Sequence, residues 1–273
     1  MKKLYKLSLI VLLSVCNQSV LWADNLAKNG DAETGIDNWS GVKLSEQKAA
    51  QGAKAFQMEQ AMCSSQELIP VDVKKNYEIS GWFKNISSAP ARLLLGVIPF
   101  DKNQTQILPE EINTVPQTET TLAAECNAEA SVIKVKDASK WKAGKFLFIA
   151  FGTSDDYADL PNRNLSMAGI AKIEKRDDYW EIYLEKLCGR NFPAGTSVRE
   201  HRAGNTCVFP VIETIKPASE WTQFSKRINY MVGKGNASYT ENWWNGTAFI
   251  KIVIICNESK LLFDDIKFQP FTY

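Results

Sequence analysis

The chain has 273 residues, 45% of them hydrophobic and 23% charged, with a formal net charge of +1. This is an ordinary globular composition, long enough for one large β domain or two smaller ones. The near-zero charge excludes an electrostatic case for nucleic acid or an anionic membrane surface as partner.

The amino terminus reads as an export signal over residues 1–23. Met1-Lys2-Lys3-Leu4-Tyr5-Lys6 is a basic n-region, Leu7 to Val15 is a short apolar run, and Leu21-Trp22-Ala23 offers a cleavage site before Asp24. The run is short for a membrane span, so no transmembrane helix is expected in the mature chain. A lipid anchor at Cys16 is disfavoured because Val15 stands where a small residue is wanted. The expected destination is secreted, periplasmic or cell-surface.

From Asp24 onward the chain reads as short strands separated by turns. Asn76 to Lys84 alternates cleanly, with Tyr77, Ile79 and Phe83 on one face and Glu78, Ser80, Trp82 and Lys84 on the other. Ala91 to Phe100 is nearly continuously apolar, the pattern of a strand covered on both faces. Residues 101–127 are polar and Pro/Thr-containing and read as a linker or extended edge. Ala168 to Glu174 and Tyr179 to Glu185 flank a charged turn and predict a hairpin. Residues 128–212 form an expected small β-barrel-like insertion, splitting a sandwich over 24–127 and 213–273. In the last strand, Leu261 to Phe268, a carboxylate falls in an apolar run whichever face is taken as buried. A buried charge needs a partner or a metal.

The opening segment Asn29-Gly30-Asp31-Ala32-Glu33, with Gly35 and Trp39, and the closing Leu261-Leu262-Phe263-Asp264-Asp265-Ile266 strand together resemble a jelly-roll carbohydrate-binding module of the galactose-binding-like type. The resemblance covers about the first eighty mature residues and the last fifty and leaves out the middle. It implies an all-β, discontinuous jelly-roll β-sandwich whose two ends lie side by side. It also implies a structural calcium between them, with Asp31, Glu33, Asp264 and Asp265 as the oxygen ligands.

A ligand role follows the same resemblance. Sugar rings stack their C–H faces on aromatic rings and bond their hydroxyls to polar side chains at the rim. Trp82, flanked by Glu78 and Lys84, is one candidate platform. Tyr239, Trp243 and Trp244, in an Asn-rich loop, form another. Trp39 and Trp221 read as sandwich core, Trp141 and Trp180 as core of the insertion.

Catalytic signals are weak. The single His201 sits in Arg199-Glu200-His201-Arg202, read as a solvated strand end, and no nucleophile elbow, phosphate loop or zinc motif accompanies it. Five cysteines follow the signal. Cys188 with Cys207 is the first pairing by spacing, Cys63 with Cys256 the second, and Cys126 the leftover, with free buried thiols as the alternative. The leading expectation is an exported, non-catalytic module binding a polysaccharide or glycoconjugate. Two alternatives stand beside it: a structural or adhesion protein that meets a protein partner through the insertion, and a secreted polysaccharide-degrading enzyme.

Overall fold

The computed structural model describes residues 24–230, 241–257 and 260–271; residues 1–23, expected to be an export signal, and Tyr239 lie outside them. The first part of the chain carries β1 (Trp39–Ser40), β2 (Val42–Leu44), β3 (Phe56–Met58), β4 (Met62–Ser65), β5 (Ile69–Pro70), β6 (Asn76–Asn85) and β7 (Ala91–Phe100). A short helix α1 (Pro109–Ile112) follows, then β8 (Thr120–Thr121), β9 (Val132–Val135), β10 (Leu147–Phe151), β11 (Ile170–Lys175), β12 (Trp180–Leu184) and β13 (Ser197–Arg202). The chain closes with β14 (Val208–Ile215), β15 (Thr222–Ile228), β16 (Phe249–Cys256) and β17 (Leu261–Phe271). Among the described residues no helix is long and apolar enough to cross a membrane.

Two antiparallel sheets make a sandwich, as the period-two pattern predicts. The front sheet runs β15-β6-β17-β3-β2 and the back sheet β1-β4-β16-β7-β14, with β5 also on β16. Their shared core holds Phe56, Phe83 and Phe263, with Trp39 tilted over Phe56 and Phe263 at 5.7 and 5.4 Å between ring centroids. Each of these fully buried rings contributes about 1.5–3 kcal/mol of burial free energy. β6 sends Tyr77, Ile79 and Phe83 into this core and leaves Glu78, Trp82 and Lys84 partly exposed on its other side. β7 is apolar from Leu93 onward, and from Leu95 to Pro99 both of its faces are covered, while Arg92 near its start is exposed. Leu93, Leu95 and Val97 line the main core, while Ile98 packs with Cys207, Phe209 and Val253 in a small cluster outside it.

The two ends of the mature chain meet on β17. Leu26 N–H donates to the Phe268 carbonyl at 2.8 Å, and Ile266 N–H donates to the Gly30 carbonyl at 2.9 Å. Asn25 bridges the same strand, its Nδ2 donating to Ile266 O and its Oδ1 accepting from Phe268 N–H. Gly30 is obligatory there, since a Cβ would lie 2.1 Å from the Ile266 carbonyl oxygen. Strict alternation along β17 does not hold. Its register against β6 shifts between Asp264 and Lys267, and Asp265 takes φ +47°. This bulge returns the strand to the same face, so Leu261, Phe263, Ile266 and Phe268 all enter the core.

The segment between β7 and β14 builds a second core from Leu122, Ile133, Val135, Trp141, Ile149, Phe151, Ile170, Ile182 and Val198, with Trp180 packed against it. Two three-stranded sheets enclose it, β10-β13-β8 and β11-β12-β9, and β11–β12 is the expected hairpin. The expected boundaries at 128 and 212 need correction. Thr120–Thr121 pairs with β13 inside the insertion, whereas Val208–Ile215 pairs with β7 and belongs to the sandwich. A two-residue strand in a Pro/Thr-rich stretch leaves no periodicity to read.

The cysteine pairing is also corrected. Cys207 lies in the cluster outside the back sheet, while Cys188 faces Cys126 within the second core, their Sγ atoms 3.2 Å apart.

Candidate functional site

Residues opposite each other in an antiparallel ladder project to the same face. The outward face of the front sheet can therefore be read row by row from the register. Trp82 stands between Gln223 of β15 and Asp264 of β17. Ser80 stands between Ser225 and Lys267, and Glu78 between Arg227 and Gln269. Lys84 lies one row beyond Trp82, opposite Leu262. Trp82 and Glu78 are four residues apart, about 13 Å at strand rise. Between them Ser225 is exposed and Ser80 is buried beneath it. At the Glu78 end a shallow depression of ≈ 450 Å³ is lined by Glu78, Ser225, Lys226, Arg227, Asn229 and Glu241. The Arg227 guanidinium lies 3.7 Å from the centre of the Phe271 ring, a cation–π contact that holds it over this end of the sheet.

This arrangement is a strip with one half-buried indole at one end, the exposed Ser225 hydroxyl in the middle, and the half-buried Glu78 acid and exposed Arg227 guanidinium at the other, with the Gln269 amide buried below them. It offers an apolar ring face and several hydrogen-bonding groups over the length of a short oligosaccharide. The insertion leaves from β7 and returns through β14, both in the back sheet, so the strip lies on the opposite side of the sandwich from its points of attachment. Trp82, Glu78 and Lys84 are brought together as their alternation predicts. Gln223, Ser225, Arg227 and Gln269 were missed. The alternation of Gln223-Phe224-Ser225-Lys226-Arg227 was a usable signal, but the pairing that sets them beside β6 was not legible.

Trp243 and Trp244 are corrected: they belong to the core. Trp243 is 3% exposed, packs edge-on against Tyr77 at 5.5 Å, and donates its indole N–H to the Lys75 carbonyl. Trp244 is 1% exposed. The asparagines around them mark a surface turn, while the two indoles turn inward and close one end of the sandwich. Tyr239 falls outside the described residues.

The four carboxylates expected at a calcium ion do something else. Glu33 Oε1 accepts the backbone N–H groups of Ala53 and Lys54 at 2.7 and 2.9 Å. Asp264 Oδ2 accepts those of Ala50 and Gln51 at 3.0 and 2.9 Å, and its Oδ1 accepts that of Asp265 at 2.8 Å. Asp265 is paired with Lys267 at 2.7 Å, and Asp31 accepts the Glu33 N–H. Among the described residues no three His, Cys, Asp or Glu side chains converge as a metal site. N–H donors thus occupy Glu33 Oε1 and both Asp264 oxygens. They form an N–H clasp that holds loop 50–54 against both ends of the chain. The N–H groups of Lys54 and Ala53 hold the Glu33 carboxyl below its ordinary pKa. Burial pushes that of Asp264 up against the pull of its three N–H donors.

In the insertion, the Arg199-Glu200-His201 run is wholly buried, which corrects its reading as a solvated strand end. Arg199 donates to Asp159 at 2.7 Å and to His201 Nε2 at 3.0 Å. His201 Nε2 therefore accepts, and its Nδ1–H donates to the Glu110 carbonyl at 2.7 Å. Burial lowers the His201 pKa to about 4, which keeps the ring neutral and locked in one tautomer. Nearby, Arg163 reaches Asp101 of the sandwich at 2.9 Å and Glu111 at 3.4 Å. These ion pairs border a cavity of ≈ 570 Å³ at the seam between the two cores. Asp101 and Asp159 at its wall are ion-paired, with Arg163 and Arg199 respectively.

No family model and no curated protein matches the chain. Solved structures resemble it at 12% sequence identity. The CBM22-1 xylan-binding domain of Xyn10C from Paenibacillus barcinonensis aligns over 92% of this chain and 97% of its own, with a TM-score of 0.39. TmCBM61 in complex with beta-1,4-galactotriose aligns over 92% of this chain and all of its own, with a TM-score of 0.33.

Proposed function

We propose that the chain is a glycan-binding module whose ligand lies along the outward face of the front sheet. A sugar ring stacks on Trp82, and the following residues of the glycan run over Ser80 and Ser225 to meet Glu78, Arg227 and Gln269. Lys84 extends the strip beyond Trp82. Binding makes and breaks no covalent bond. The observation that carries this reading is the placement of Trp82. Trp39, Trp243 and Trp244 are spent on the sandwich core, whereas Trp82 is half-buried on a polar face amid hydrogen-bonding side chains. Export belongs to the same proposal, with residues 1–23 directing the module outside the cytoplasm, where extracellular polysaccharide or glycoconjugate is met.

The test is a glycan-array screen of the protein from Asp24 onward, alongside a Trp82→Ala variant shown to be folded by its melting curve. Specific signals that vanish in the variant support the proposal. An array with no specific signal for the folded wild-type protein overturns it and leaves a scaffold or adhesion role.

A further inference from the structure

We propose that Cys126 and Cys188 are the site of an intramolecular disulfide that staples the insertion. Their Sγ atoms are 3.2 Å apart, so a shift of about 1 Å closes the bond. The backbone on either side is already aligned for it. Cys126 and Phe192 exchange both N–H···O bonds, at 2.9 and 2.8 Å. Cys188 N–H donates to Ala130 O, Gly189 N–H to Ala128 O, and the Asn191 side chain accepts from Ala128 N–H. Closing the bond therefore orders no segment that is not ordered already. It joins positions 62 residues apart and pins the strandless stretch between β12 and β13, beside the stacked Phe151 and Phe192 rings.

The chemistry is thiol–disulfide exchange with a disulfide-bearing oxidant, either a dithiol oxidase or oxidised glutathione. One thiolate attacks the oxidant's disulfide and forms a mixed disulfide. The second displaces the oxidant's remaining sulfur. The two cysteines lose two protons and two electrons, and the oxidant leaves as two thiols. Burial raises the Cys126 thiol to about 12, and both sulfurs are shut away from solvent in the folded insertion. The exchange accordingly occurs as the insertion folds, before its core closes. Cys207 lies apart from both cysteines, in the cluster outside the back sheet.

The test is refolding of the protein from Asp24 onward in a glutathione redox buffer, followed by alkylation under denaturing conditions, non-reducing digestion and mass spectrometry. The expected result is one cross-linked peptide pair through Cys126 and Cys188, lighter by two hydrogens than the two thiol peptides, with Cys63, Cys207 and Cys256 alkylated. Reductant lowers the melting temperature of the wild-type protein by on the order of 10 °C and leaves a Cys126→Ala or Cys188→Ala variant unchanged. Alkylation of all five cysteines, or a link that joins any other pair, overturns the proposal.

Discussion

Glu33 and Asp264 grip the same loop from opposite ends of the chain. Glu33 takes the N–H groups of Ala53 and Lys54, and Asp264 those of Ala50 and Gln51. Gly52 at the centre of the loop, with φ +63°, has no room for a side chain, since a Cβ would lie 2.5 Å from Glu33 Oε1.

The clasp predicts a stability that owes nothing to metal. Asp264→Ala strands buried N–H donors and lowers stability by about 2–3 kcal/mol in urea titration, whereas EDTA leaves the melting temperature of the wild-type protein where it was. A drop in EDTA would show a cation at these residues after all. The depressed Glu33 pKa carries a sign. Its contribution is present above the ordinary carboxylate range and is lost as pH falls through the lowered folded value. Glu33→Gln should therefore flatten the acid limb of the stability profile.

The strip on the front sheet predicts that binding is blocked from its floor as well as from its platform. Ser225 is exposed and faces Ser80 across the ladder. Ser225→Trp fills the floor and should abolish glycan binding in isothermal titration, while stability stays within about 0.5 kcal/mol. Trp82→Ala should weaken binding about tenfold or more, and Trp82→Phe less, because a smaller ring keeps part of the stacking surface.

Arg199 is completely buried, and Asp159 is its carboxylate partner at 2.7 Å. Asp159→Asn leaves a buried guanidinium with half of its compensation and should destabilise the insertion by about 3–5 kcal/mol. Hydrogen exchange should then show the second core opening before the sandwich. The double variant Asp159→Leu, Arg199→Met should recover much of the loss, because the charge is removed together with its partner.

Glu200 makes the insertion sensitive to a rise in pH through the weakly acidic range. Its Oε2 accepts the Lys142 N–H at 2.8 Å, its Oε1 is buried without a partner, and burial raises its pKa to about 7. A raised folded pKa means a contribution that is complete below the ordinary glutamate value and lost as pH rises toward 7. His201, depressed to about 4, acts in the opposite sense and loses its contribution as pH falls below 6.5. Glu200→Gln should remove a pH-dependent term of roughly 3 kcal/mol. Relative to the wild-type protein, the variant is then more stable at pH 8 than at pH 5, measured by denaturant midpoints.

The parts of the molecule that follow a period were legible in the sequence. The alternation of Tyr77 to Lys84 identifies both faces of β6, and the apolar run of β7 after Arg92 announces the double cover of its second half. The two end segments, matched as a pair, do lie side by side. The parts that depend on one residue or on distant pairing were not legible. A single bulge at Asp265 changes which residues of β17 are buried. Nothing local says that Trp243 will find Tyr77, or that Cys188 will face Cys126 rather than Cys207. The carboxylates at the chain ends were recognised as needing partners, but carboxylate composition does not distinguish a cation from a set of backbone N–H groups.

The position of β17 also dictates when the molecule can fold. It lies inside the front sheet, between β6 and β3, and it receives the first residues of the mature chain as well. Until Leu261–Phe271 has been synthesised, β6 and β3 have no neighbour to join them, and the apolar face of β6 has no finished sheet around it. The insertion, with its own core, can close early, while the chain is still being synthesised. The sandwich must wait, so the emerging chain carries unpaired strand edges for most of its synthesis. Holding factors that bind extended apolar chain should therefore govern the yield of this protein more than the stability of its finished fold does.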